Sequence, residues 1–165
     1  MIQLIGAGLL FIALEPKLGL GKGIWYSLFH SVAAYCNAGF DLFGPSLEQL
    51  NNNPYVLTVI MFLIGAGSFG FLVWRDLLTY HIRHKITLHT RFALTVGLII
   101  LVLSIIGFLF SEQNLKQFSG SLNGVDRFFN TLFLAVTPRT AGFFSVPYSK
   151  LSTAGIAITI ILMFI

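Results

Sequence analysis

Ile24-Trp25-Tyr26-Ser27-Leu28-Phe29-His30-Ser31-Val32-Ala33-Ala34-Tyr35, running on into Cys36-Asn37-Ala38-Gly39-Phe40, decides how this chain folds. Residues 23–40 contain no Asp, Glu, Lys or Arg and are apolar and aromatic enough to enter a bilayer. If they crossed it, the next apolar segment would emerge on the wrong side for the basic residues that follow. A dip resolves the conflict: a short helix enters from one face, turns near residues 37–40, and leaves by the same face. Non-helical backbone at that depth is tolerated only where it is buried in protein or lines a watery cavity. The turn therefore marks a candidate functional site.

The composition makes the bilayer the default solvent. Of 165 residues, 56% are hydrophobic, 15% aromatic and only 10% charged, against about 25% charged in ordinary soluble domains. Mean hydropathy is +0.85. Cys36 is the only cysteine, which excludes a disulfide framework. The net charge of +4 is not gathered in a long basic arm, so nucleic acid is not expected as a partner.

Uncharged stretches occupy residues 1–14, 23–40, 54–74, 92–111 and 151–165. Residues 54–74 (21 residues) and 92–111 (20 residues) match the roughly 20 residues that a spanning helix needs, and both are predicted as complete transmembrane helices. Residues 1–14 are too short to span, and residues 151–165 are still apolar at the last position. Neither a basic n-region nor a cleavage site opens the chain, so both ends are expected to be cut helices of a longer membrane protein.

Orientation follows from the charges. Residues 75–91 carry Arg75, Arg83, Lys85 and Arg91 against one acid, Asp76, whereas the other two connections hold six basic residues in 79 positions. The positive-inside rule places residues 75–91 in the cytoplasm and both long connections outside.

The dip occurs twice. At an offset of 103 residues, Asn37-Ala38-Gly39-Phe40 aligns with Thr140-Ala141-Gly142-Phe143, and Trp25-Tyr26 aligns with Phe128-Phe129. The predicted fold is thus all-α and membrane-integral, with repeated helix–re-entrant loop–helix units arranged pseudo-symmetrically around an ion pore. One unit covers residues 1–76 and the other residues 92–165, joined by a basic loop at 77–91. At the tip of each dip a glycine can take positive φ, so that successive carbonyls point the same way. A ring of such carbonyls can replace the hydration shell of an alkali cation. The short helix before each turn aims the negative end of its dipole at the same place, and Pro138 is placed to stop the second one.

Cys36-Asn37-Ala38-Gly39-Phe40-Asp41, Thr137-Pro138-Arg139-Thr140-Ala141-Gly142-Phe143 and Gly65-Ala66-Gly67-Ser68-Phe69-Gly70-Phe71 resemble the Trk/Ktr/HKT superfamily of potassium transporters. The resemblance covers nearly the whole chain and implies the second and third of four helix–pore loop–helix units. It implies potassium uptake across the plasma membrane, with K⁺ held by backbone carbonyls of Asn37, Ala38, Gly39, Phe40, Thr140, Ala141, Gly142 and Phe143. It also implies Na⁺ as a possible coupling or activating ion, a homodimer, and a cytosolic nucleotide-binding regulatory ring.

Other features are read more plainly. Gly65-x-Gly67-x-x-Gly70 fits a dinucleotide fingerprint in letters alone, since no strand precedes it; close helix packing through small residues explains it better. His81, His84 and His89 belong to a solvated loop rather than a metal site. His30 is expected to be a hydrogen-bonded packing residue and Cys36 an inert thiol. Arg139, costly beside a cation path, is expected to turn away and pair. Asp41 and Asp126 are candidates for drawing cations to the outer mouth, or simply solvated loop acids. The alternative to transport is a membrane anchor or assembly subunit. An enzyme is not expected, because no catalytic arrangement stands at a membrane face.

Overall fold

Gly19 is where the first element reverses. The computed structural model describes residues 1–44, 46–83, 86–111, 124–138 and 141–164, and its regular structure is entirely helical among them. Helix α1 (Ile2–Tyr35) is 34 residues long but is broken at Gly19, whose φ of 75° and ψ of 171° no helix contains. That backbone region is open essentially to glycine alone. Its two arms run antiparallel. Ser31 Oγ donates to the Gln3 carbonyl (2.6 Å), while a Cβ placed on Gly23 would sit 3.4 Å from the Glu15 Cα. The second arm, residues 20–35, is about 24 Å long and falls short of a bilayer core of about 30 Å. Residues 15–22, between the first two uncharged stretches, are therefore mostly helical, and the reversal is contracted to one glycine.

Helix α2 (Pro54–Ser68) begins with Pro at its first position and Asn53 as cap, the Asn53 side chain accepting from the Val56 N–H (3.4 Å). Val56, Leu57, Ile60, Leu63 and Ile64 are buried in a core shared with Leu10, Leu14, Ala33 and Ala34 of α1. The helix predicted to run unbroken over 54–74 is instead divided after Ser68. The chain turns at Phe69, and helix α3 (Gly70–Arg83) departs with a bend of 99°. The cause is local: Gly70 has a φ of 71°, and the Trp74 indole N–H donates to the Ala66 carbonyl across the corner (2.7 Å). Neither α2 nor α3 has by itself the length and apolarity of a span; the bent pair has them together.

Helix α4 (Leu88–Ser111) is unbroken over 24 residues and contains the whole of the predicted 92–111 span. The α3–α4 corner is held by Asp76, whose buried carboxylate accepts from the Thr87 and Thr90 hydroxyls, the latter at 2.6 Å. Helix α5 (Gly124–Val136) packs on α2 and α4. Its buried Asn130 donates to the Asn51 carbonyl (2.9 Å) ahead of α2. Helix α6 (Thr153–Met163) is capped by Ser152, whose side chain accepts from the Gly155 N–H (3.0 Å). A second core joins α4, α5 and α6 around Phe108, Leu134 and Leu162.

Candidate ion-binding turns

The second arm of α1 ends in a capping arrangement dictated by Asn37. The Ala38 N–H donates to the Ala33 carbonyl (2.9 Å) and the Asn37 N–H to the Ala34 carbonyl (3.2 Å). This paired 6→1 and 5→2 pattern is a Schellman motif. Asn37 takes the left-handed position with a φ of 50°, which Asn tolerates better than most residues. Gly39 follows at a φ of 69°. The other turn is reached from α5: the Thr137 N–H donates to the Phe133 carbonyl (2.9 Å) and the Ala141 N–H to the Thr137 carbonyl (3.1 Å). Gly142 then takes a φ of 73°.

The two glycines meet. A Cβ placed on Gly39 would lie 2.8 Å from the Gly142 Cα and 3.0 Å from the Ala141 carbonyl oxygen; one placed on Gly142 would lie 2.7 Å from the Gly39 Cα. No side chain fits either position, so the approach is backbone to backbone. The segments beyond the turns are also joined. The Leu47 N–H donates to the Phe144 carbonyl (3.0 Å), and the Phe144 N–H donates to Ser46 Oγ (3.2 Å). Residues 103 positions apart, aligned by sequence, are therefore brought into contact in space.

The matching side chains have different surroundings. Ala141 and Phe143 are fully buried, whereas Ala38 is exposed and Phe40 is 69% exposed. Phe143 packs on the face of the second arm of α1 that carries His30, with ring centroids 6.4 Å apart. His30 is buried among Tyr26, Phe29 and Phe43. Its Nδ1 donates to the Tyr26 carbonyl (2.7 Å), and Nε2 accepts from the Leu42 N–H (3.4 Å). That is the packing role expected of it, and it extends to the far side of the turn. Thr140 and Arg139 lie outside the described residues, as do His84 and the side chain of His81.

Asp41 is committed locally, its Oδ1 accepting from the Phe43 and Gly44 N–H groups (both 2.9 Å). Asp126 stands in the first turn of α5. Cys36 is a free, exposed thiol at the helix cap. Among the described residues, no three His, Cys, Asp or Glu side chains gather as metal ligands.

Two contacts had not been singled out from sequence. A Cβ on Gly67 would lie 1.9 Å from the Tyr35 carbonyl oxygen, so α2 passes directly against the end of α1. Asn37 Nδ2 donates to Ser68 Oγ (3.1 Å). Close packing in the Gly65-x-Gly67-x-x-Gly70 run belongs to Gly67 alone, since a Cβ on Gly65 or Gly70 meets nothing within 4 Å. Beside these contacts a cleft of about 900 Å³ runs between α2, α4 and α6, reaching Asn37 and Pro138.

The helical fold, with two helices long and apolar enough to cross a membrane among the described residues, defines an all-α membrane protein in which two glycine turns from separate repeats meet. A family model described as TrkH, cation transport protein, matches residues 1–165, and the chain belongs to that family. It is 47% identical to the potassium/sodium uptake protein NtpJ of Enterococcus hirae, over 100% of this chain and 36% of that protein. It is 37% identical to the Ktr system potassium uptake protein B of Bacillus subtilis, over 99% of this chain and 37% of that protein. A protein of the same name from Vibrio alginolyticus is 32% identical over 91% of this chain and 33% of that protein. The chain thus spans about a third of the length of the curated relatives it matches.

Proposed function

We propose that this chain is part of a potassium-uptake protein of the plasma membrane, and that the backbone carbonyls of residues 37–40 and 140–143 belong to its selectivity filter. The approach of Gly39 to Gly142, both at positive φ, carries this reading. It brings the ends of two short helices to one point, where their partial negative charge stabilises a cation. The relatives named for potassium uptake, one of them for potassium and sodium, support K⁺ as cargo and admit Na⁺ as a coupling or activating ion. In this reading residues 1–76 and 92–165 are two helix–pore loop–helix units of a larger ring. Residues 75–91 face the cytoplasm, where a nucleotide-binding regulatory ring would dock, and a second copy would complete a homodimer.

The test is substitution of Gly39 or Gly142 by Ser in the intact transporter. Each adds a Cβ where another backbone already stands and forces positive φ on a non-glycine residue. K⁺ uptake or K⁺/Na⁺ discrimination is expected to fall by about 10-fold or more, measured in cells lacking other potassium uptake and normalised to protein in the membrane. Unchanged uptake and discrimination in both variants would sink the reading.

A further inference from the structure

Ser68 closes α2 immediately before the chain turns, and its hydroxyl is used twice. It donates to the Ile64 carbonyl one turn back (2.8 Å) and accepts from Asn37 Nδ2 (3.1 Å). Asn37 is the first residue of the first turn and sits in the left-handed region at a φ of 50°, which Asn adopts more readily than most non-glycine residues. The neighbouring Gly67 lies hard against the Tyr35 carbonyl. Two adjacent residues of α2 therefore fix two residues at the end of the α1 dip.

We infer that Ser68 is a positioning residue for the first ion-binding turn: through the Asn37 side chain it sets the orientation of the peptides that begin the filter. The inference rests on the filter reading above. Discrimination between alkali cations depends on where a few carbonyl dipoles stand and how stiffly they are held. A hydroxyl suits this place because it donates and accepts at once. Ala at position 68 removes both bonds, whereas Thr keeps both. Ser68 is exposed and helical, and Ala is the best helix former, so Ser68→Ala is not expected to impair folding.

The experiment measures K⁺ and Na⁺ uptake by the intact transporter carrying Ser68→Ala or Ser68→Thr, at matched amounts in the membrane. Ser68→Ala is expected to lower K⁺/Na⁺ discrimination by about 3- to 10-fold, the range one hydrogen bond spans. Ser68→Thr is expected to keep the wild-type ratio. If Ser68→Ala matches wild type while Gly39→Ser loses discrimination, the inference is overturned and the filter reading stands. Equal loss in the Ala and Thr variants also overturns it, since that reports packing rather than the hydroxyl. If Gly39→Ser and Gly142→Ser leave discrimination intact, the filter reading falls and takes this inference with it.

Discussion

A methyl group on Gly67 has no space to occupy, because it would stand 1.9 Å from the Tyr35 carbonyl oxygen and 2.8 Å from the Tyr35 carbon. Backbone atoms cannot swing aside as side chains do. Gly6 offers the contrast: its tight neighbours are the flexible ends of Leu63 and Ser31. Gly65, two residues from Gly67, has nothing within 4 Å. Gly67→Ala is therefore expected to separate α2 from the dip and destabilise the protein by about 3 kcal/mol or more, in the range of severe core overpacking. Gly65→Ala is expected to be neutral or to stabilise by up to about 1 kcal/mol through helix propensity. Thermal unfolding of the intact protein in detergent distinguishes them; equal melting temperatures would refute the close approach. The sequence marked this run as small-residue packing, but only the structure separates the glycine that packs from the two that do not. The letters carry size and not direction. Ser68 is silent in the letters for a similar reason: its partner Asn37 lies 31 positions away.

Helical elements were legible where apolar length alone decides them and illegible where one backbone angle does. Residues 92–111 read as a spanning helix and lie inside α4. Residues 54–74 are as apolar and as long, yet Gly70 at a φ of 71° ends α2 and redirects the chain. Hydropathy reports the solvent a segment prefers, not where its axis points. Charge placement predicts a dip at residues 23–40; in the structure residues 20–35 run antiparallel to residues 2–18, and the hinge at Gly19 that reverses them has no signature in the pattern of apolar residues. Gly19 and Gly21 make a clean comparison, since a Cβ on either meets nothing within 4 Å. Only Gly19 has a φ of 75°, with a ψ of 171°. Gly19→Ala is expected to cost about 1–3 kcal/mol through backbone strain alone. Gly21→Ala is expected to be neutral or slightly stabilising. Identical thermal stability in the two variants would show that the reversal does not depend on Gly19.

At the scale of the whole molecule, the repeat makes identical letters unequal. Phe143 is buried against the first dip, whereas Phe40 is 69% exposed, although both follow the same Ala-Gly pair. Phe143 turns toward the other repeat and Phe40 turns away from it, so the sequence repeat aligns the two turns without revealing which face of each is covered. The same arrangement fixes what can cross the bilayer. The second arm of α1 and α5 are about 24 and 20 Å long, too short for a core of about 30 Å. If both dip and return, then Lys22, Asn52 and Ser149 share one side of the membrane and His89 stands on the other. Single cysteines at these exposed positions, in a Cys36→Ser background, report their side through a membrane-impermeant thiol reagent. Positions 22, 52 and 149 are expected to label from outside intact cells, and position 89 only after the membrane is opened. Ser149 is the deciding position, because α4 alone separates it from His89 if α5 dips, whereas α4 and α5 both do if α5 spans. Labelling of position 149 only after permeabilisation, together with position 89, would mean that α5 crosses fully and that the second turn is not a re-entrant tip.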